Sequence, residues 1–200
     1  MKKGRIYTIV FMLIISAVFT FLLAGANSLF LPKIQENARL ADMRAVLYVF
    51  NLSQDGSADE VLQRFEQNIR QTTISGIDLY EYSSADGQPE AYAIPFTGRG
   101  LWGSISGYLG VLAKLDQMIG LVFTDQSETP GLGGRIDELA FREQFRNIAI
   151  TANTTLTYGQ TDGSQIDAIT GATLTSNSVM RIINQVLDTT VSKLGVTGND

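Results

Sequence analysis

The sequence predicts an α+β protein, with a single N-terminal transmembrane helix followed by one domain of antiparallel or mixed sheet and flanking helices. Three observations carry this expectation. Residues 6–26, from Ile6 to Ala26, contain no charged side chain. From Gly76 the apolar pattern alternates with a period of two, punctuated by turn signals. Towards the C-terminus Val179, Ile182, Ile183, Val186 and Leu187 recur at helical spacing. Hairpins with helices segregated from them define the α+β class, and without internal repeats one domain plus an appendage suffices for 200 residues.

The elements follow in order. A helix over residues 6–26 would span about 30 Å, which matches the hydrocarbon core of a bilayer. Lys2, Lys3 and Arg5 precede it. That bias assigns residues 1–5 to a cytoplasmic tail and sends the rest of the chain to the outer side. Ala24-Gly25-Ala26 resembles a signal-peptidase site, but the apolar run exceeds the 7–15 residues of a signal core, so a retained anchor is expected. Leu31-Pro32 should break the helix. Residues 27–75 read as a helical, membrane-proximal segment. Its first helix covers 34–50, with Ile34, Ala38, Ala41, Ala45 and Val49 near one face. Asn51 to Ser57 is turn-rich, and Ser57 with Glu60 forms a capping box for a second helix to about Ile69, burying Val61, Leu62, Phe65 and Ile69.

Residues 76–195 read as the domain proper. Strands 77–82 and 90–96 flank Asp86-Gly87; strands 108–115 and 119–124 flank a turn at Asp116 to Met118. Ile136 to Phe145 reads as a short helix that buries Leu139, Ala140 and Phe145. A strand around Ile148–Tyr158 leads to an Asp162-Gly163 turn and then to the last helix.

Composition narrows the chemistry. The chain has no Cys and no His. Cys-ligated iron–sulfur clusters, His-ligated haem, thiol catalysis and Ser–His or Cys–His relays are therefore excluded, and no metal ligand set is expected. Setting aside Lys2, Lys3 and Arg5, the formal charge of −5 becomes −8 for the remainder, with no basic patch suited to nucleic acid. A redox role would therefore need an organic cofactor.

Residues 167–176, Asp-Ala-Ile-Thr-Gly-Ala-Thr-Leu-Thr-Ser, bring hydroxyls and small residues to the start of the last helix. The first N–H groups of a helix lack intrahelical partners and its dipole favours negative charge, so a phosphate can sit there. Equally, Thr175 or Ser176 could simply cap the helix. Upstream, Trp102 is the chain's single Trp and lies between glycines, where its ring could pack on a flat ligand or plug one end of the core. In Thr129-Pro130-Gly131-Leu132-Gly133-Gly134, Pro130 and Gly131 suit a type II turn, and Gly133 and Gly134 allow close backbone approach.

Asp167-Ala168-Ile169-Thr170-Gly171-Ala172-Thr173 resembles the flavinylation motif Asp-x-x-Ser/Thr-Gly-Ala-Thr/Ser of the FMN-binding domain family. Gly98-Arg99-Gly100-Leu101-Trp102-Gly103, followed by Gly107-Tyr108, and Glu128 through Gly134 match two further segments in family order. The resemblance implies covalent FMN, joined by a phosphoester to Thr173. Leu101, Trp102, Thr129, Gly131, Leu132, Gly133, Thr170, Gly171, Ala172, Leu174 and Thr175 are the implied contacts. Asp167 is implied to belong to the signature read by a flavin transferase; no residue is implied to be catalytic in its own right.

The family includes redox subunits of ion-translocating NADH:quinone and Rnf-type oxidoreductases, and the Gly-Leu-Trp segment leans towards the former. The resemblance thus implies a membrane-anchored electron-transfer subunit with its FMN domain on the periplasmic side. Its implied partners are the integral membrane subunits of that complex, the flavin transferase and the lipid bilayer. The alternatives are a stand-alone flavinylated extracytoplasmic carrier and a flavin-binding sensor ectodomain.

Overall fold

The computed structural model describes residues 2–84, 86–151, 154–161, 164–191 and 193–194. It divides into two compact units at Leu40/Ala41. The described residues of the first are all helical, because α1 runs unbroken over Lys2–Val49 with Pro32 inside it. The expected break at Leu31-Pro32 is therefore not made. An interior proline costs about 3 kcal/mol through one lost hydrogen bond and a ring clash. Strong helix formers continue beyond it through Gln35, Glu36, Ala38, Arg39 and Leu40, and packing of the 43–50 segment holds the far end. The apolar part is long enough to cross a bilayer, with mean hydropathy 2.6 across its 18-residue window and none of that window buried. Such a row of exposed Ile, Leu, Val and Phe is costly in water and favourable in lipid, so it fits a membrane anchor.

The second unit opens with the end of α1, where Met43 and Ala45 through Phe50 are buried. Of the face expected for this helix only Ala45 and Val49 are covered; Ile34, Ala38 and Ala41 are exposed. Arg146 closes α1. Its guanidinium donates to the carbonyls of Tyr48 (2.9 Å), Val49 and Ile119, and pairs with Glu143 at 2.8 Å. It thereby satisfies carbonyls that a helix C-terminus leaves without partners. Asn51 turns the chain at φ 58°. The capping box then forms as expected, with the Glu60 carboxylate accepting from Ser57 N (2.8 Å) and Ser57 Oγ from Glu60 N, and it opens α2 (Ala58–Asn68).

The segment expected to be helical through residue 75 turns to strand earlier, at β1 (Ile69–Ile74). Thr72, Thr73 and Ile74 are β-branched, and Ser75-Gly76 with two positive φ angles folds β1 onto β2 (Ile77–Ser83). The meander continues through β3 (Pro89–Arg99), β4 (Ser104–Leu112), β5 (Gln117–Asp125) and the short β6 (Ile148–Ala149). All six strands pair antiparallel in sequence order. The β4–β5 turn sits at residues 113–116 rather than Asp116 to Met118; Met118 is a fully buried strand residue.

Both faces of the sheet are covered, which is why β4 is buried continuously from Gly107 to Val111. On one side the Tyr108 hydroxyl donates to the Asp42 carboxylate at 2.9 Å, and Tyr80 lies between Tyr108 and Phe65 of α2. On the other, Leu79, Ile94, Phe96, Leu109 and Phe123 join the main core. That core also takes in Ile136, Phe141 and Phe145 from a 3₁₀ turn (Gly133–Asp137), α3 (Leu139–Arg142) and a second 3₁₀ turn (Glu143–Phe145). The expected single helix is thus three short pieces. Glu138 is extended (φ −63°, ψ 138°) between the first 3₁₀ turn and α3, which breaks the helical phase, so that Ile136, Phe141 and Phe145 are buried while Leu139 and Ala140 are exposed.

Among the described residues, the strand expected around Ile148–Tyr158 is confined to β6. A two-stranded ribbon follows, β7 (Gly159–Thr161) with β8 (Ser164–Ile166); the Asp162-Gly163 turn lies outside the described residues. The last helix, α4 (Thr173–Val186), buries Val179, Ile182, Ile183 and Val186 as its period predicted, and Leu187 just beyond.

Candidate functional site

Three loops meet at the N-terminal end of α4, each brought there by a backbone reason. In the first, Ala172 N donates to Ile169 O (3.0 Å), closing a four-residue turn with Gly171 at φ 80°. A side chain there would be strained and would press on Leu132, whose Cδ2 lies 3.3 Å from the place of a Cβ. The turn delivers Thr173 to the first position of α4, exposed to solvent. Ala172 is the N-cap and offers no side-chain acceptor. The helix therefore presents its positive end beside an exposed hydroxyl, without a competing cap.

The capping alternative for Thr175 and Ser176 does not hold, since both lie inside the helix and are buried. Their hydroxyls serve other partners. Ser176 Oγ accepts from Ile169 N at 3.0 Å, and Thr175 Oγ1 donates to Glu128 Oε2 at 2.5 Å. Tyr158 donates to the carbonyl of Ser176 at 2.7 Å; burial pushes its phenol up to about 12, so it stays a neutral donor at physiological pH. Asp167 is exposed, and its N–H donates to Gln144 Oε1 at 2.6 Å.

The second loop is the expected turn. Leu132 N donates to Thr129 O at 3.1 Å with Gly131 at φ 75°, the geometry a type II turn requires. Thr129 and Leu132 are exposed. Gly133 also packs within the protein. A Cβ there would stand 2.5 Å from Thr175 Oγ1, so its bareness lets the loop approach α4.

The third loop carries Leu101 and Trp102. Both backbone N–H groups donate to Glu128 Oε1, at 2.8 and 3.1 Å. Glu128 is thus the hub of all three loops, and sequence reasoning passed over it although it heads the Glu128–Gly134 segment. Its side chain is buried, at 5% exposure. Its own N–H donates to Gln126 Oε1 at 2.6 Å, and Gln126 in turn donates to Asp137 at 2.8 Å.

What this arrangement presents outward is apolar. In the unit from Ala41 on, the large hydrophobic side chains exposed among the described residues are Leu101 (44%), Trp102 (70%), Leu132 (45%), Leu139 (59%) and Leu174 (63%). Four of these five flank the Thr173 end of α4 through the contacts just given. Large exposed apolar groups of this kind mark a ligand or partner surface. A threonine hydroxyl at an uncapped helix start, ringed by leucines and a tryptophan, suits a molecule with a phosphate at one end and a flat apolar ring system at the other.

Comparison with known proteins agrees. Residues 100–188 match the FMN-binding domain family. The chain is 35% identical over 145 residues to the C subunit of the Na(+)-translocating NADH-quinone reductase of Chlamydia pneumoniae, covering 61% of this chain and 44% of that one. It is 35% identical over 109 residues to the corresponding C subunit of Pasteurella multocida, covering 51% and 42%. The chain thus spans less than half the length of these curated relatives. Among solved structures, NqrC of Shewanella oneidensis superposes with a TM-score of 0.65 at 17% identity, covering 80% of this chain and 95% of that one. The C subunit of the Na(+)-translocating NADH-quinone reductase from Parabacteroides distasonis gives 0.65 at 24% identity, with 82% and 96% covered. These likenesses show a shared fold. Residues 100–188, which hold the Leu101–Trp102 loop, the Glu128 hub and Thr173, are thus the stretch of this chain that resembles the FMN-binding domain family.

Proposed function

We propose that this protein is the membrane-anchored, FMN-carrying electron-transfer subunit of a sodium-translocating NADH:quinone oxidoreductase, with the flavin joined by a phosphoester to Thr173. One observation carries the reading: an exposed threonine hydroxyl at an uncapped helix N-terminus, flanked by exposed Leu101, Trp102, Leu132 and Leu174, inside a stretch of the FMN-binding family. FMN fits these residues. Thr173 and the first N–H groups of α4 would hold the phosphate, and the leucines and Trp102 would wall the ring. When bound, the flavin supplies the redox chemistry; the protein supplies attachment, orientation and a dry apolar wall.

Thr129, Gly131, Gly133, Thr170, Gly171, Ala172 and Thr175 shape the loops that position these groups, and Asp167 marks the segment for a flavin transferase. The integral membrane subunits of the complex are the electron partners. A tether is useful outside the cytoplasm, where a dissociated cofactor would find little free FMN to replace it. The single anchor keeps the domain at high effective concentration near those partners.

Two outcomes test this reading. Protease added to the outer face of spheroplasts should digest the domain, and sequencing of the mature protein should still find Met1 or Lys2; a mature terminus at Asn27 would remove the anchor. Trp102→Ala and Leu132→Ala should retain FMN but shift its midpoint potential. A packed aromatic contact contributes about 0.5–1.5 kcal/mol beyond its area. If the wall favours one redox state by that much, the shift is roughly 20–65 mV for a one-electron couple. Redox titration of the flavin absorbance measures it, and unchanged potentials and spectra in both variants would make these residues ordinary surface.

A further inference from the structure

We propose that Glu128 is the positioning residue of the flavin site, the buried latch that fixes the Leu101–Trp102 wall relative to the Thr173 end of α4. The inference rests on the proposed flavin attachment at Thr173. The two carboxylate oxygens of Glu128 divide the work. Oε1 takes two consecutive backbone N–H groups, Leu101 and Trp102, while Oε2 takes the Thr175 hydroxyl, two residues along the helix from Thr173. A buried carboxylate is costly unless its lone pairs are met, and here three donors from two distant segments meet them.

The glycines support the assignment. Gly100 and Gly133 have no positive φ that would demand glycine. A Cβ on Gly100 would stand 2.5 Å from Glu128 Oε1, and one on Gly133 would stand 3.0 Å from both Glu128 Cβ and Oε2. At Gly133 the carboxylate and its partner Thr175 fill the space, and at Gly100 the carboxylate shares it with the Ile105 side chain. The latch is itself braced through Gln126 and Asp137. Above it, Leu101 and Trp102 expose their side chains while their backbone is tied from below. A wall built this way is set in place before any ligand arrives.

The chemistry of the acceptor suggests a discriminating set of variants. Glu128→Gln can keep every contact, because its carbonyl oxygen can accept from Leu101 and Trp102 while its amide donates to the Thr175 hydroxyl oxygen. Glu128→Ala loses all of them, and Thr175→Val loses the helix arm alone. Thermal melts of the detergent-solubilised full-length proteins establish which variants fold. Hydrogen exchange on peptides covering residues 100–103, in a Thr173→Ala background, reads the latch without flavin. Flavin absorbance and fluorescence in the Thr173 background read its consequence.

Glu128→Ala should speed exchange at Leu101 and Trp102 by roughly ten- to hundredfold. It should also alter the flavin spectrum, while Glu128→Gln behaves as wild type; Thr175→Val should fall between and serves as the test if the Ala variant does not fold. Unchanged exchange in both Ala and Val variants overturns the latch. So does a spectrum that stays unaltered while exchange rises, or a Gln variant that behaves like Ala. Faster exchange in a protein that never carries flavin would sink the functional reading and leave the latch standing.

Discussion

Thr173→Ala abolishes flavin attachment and leaves the fold intact. The acceptor is exposed at the first position of α4, and its hydroxyl holds no hydrogen bond among the described residues, so its removal should alter stability by no more than about 0.5 kcal/mol. The chemical consequence is all-or-none, because alanine has no oxygen with which to form the ester. Denaturing gels viewed under ultraviolet light should show a fluorescent band for the wild type and none for the variant at equal protein loading. The neighbouring hydroxyls do not offer a substitute of equal standing. Thr175 is buried and committed to Glu128, and Thr170 lies in the turn before the helix rather than at its start. A band that persists in Thr173→Ala would contradict the assignment.

Phe145→Ala produces the largest loss of stability expected here. Phe145 is fully buried, and its ring lies 5.5 Å from Phe141, which continues through Phe123 to Phe96 of the sheet. The backbone around it is a short 3₁₀ turn with no regular helix to re-pack into the void. Removing a buried phenyl costs about 3–5 kcal/mol, which for a chain of this size lowers the melting temperature by roughly 6–20 °C. Thermal unfolding followed by circular dichroism tests it, and a fall of under about 2 °C would show that the aromatic ladder carries little of the core.

The features legible in the sequence share a cause, which is that local spacing decides them. The α4 period named five residues that are all buried, and the Ser57/Glu60 capping box and the Gly131 turn formed because each needs only a few adjacent residues. Expectations failed where a contact from afar or a change of helical pitch decides. Pro32 stays in a helix that is held at its far end by packing against the sheet. Ile69–Ile74 leaves the preceding helical pattern because β2 is there to pair with it. Leu139 and Ala140 are exposed because an extended Glu138 interrupts the expected helix and resets its phase. The site divides the same way. Thr173 and its apolar neighbours stand in recognisable local motifs, whereas the role of Glu128 depends on Leu101 and Thr175, 27 and 47 residues away. An acidic residue at the head of a loop carries no local sign that it will be buried.

The most direct measurement is the intact mass of the native full-length protein, followed by fragment sequencing of the peptide that spans residues 167–176. Covalent attachment predicts the chain mass plus one FMN less the water lost on forming the ester, with the increment confined to Thr173. An unmodified mass, or an increment placed on Thr170 or Thr175, would contradict it.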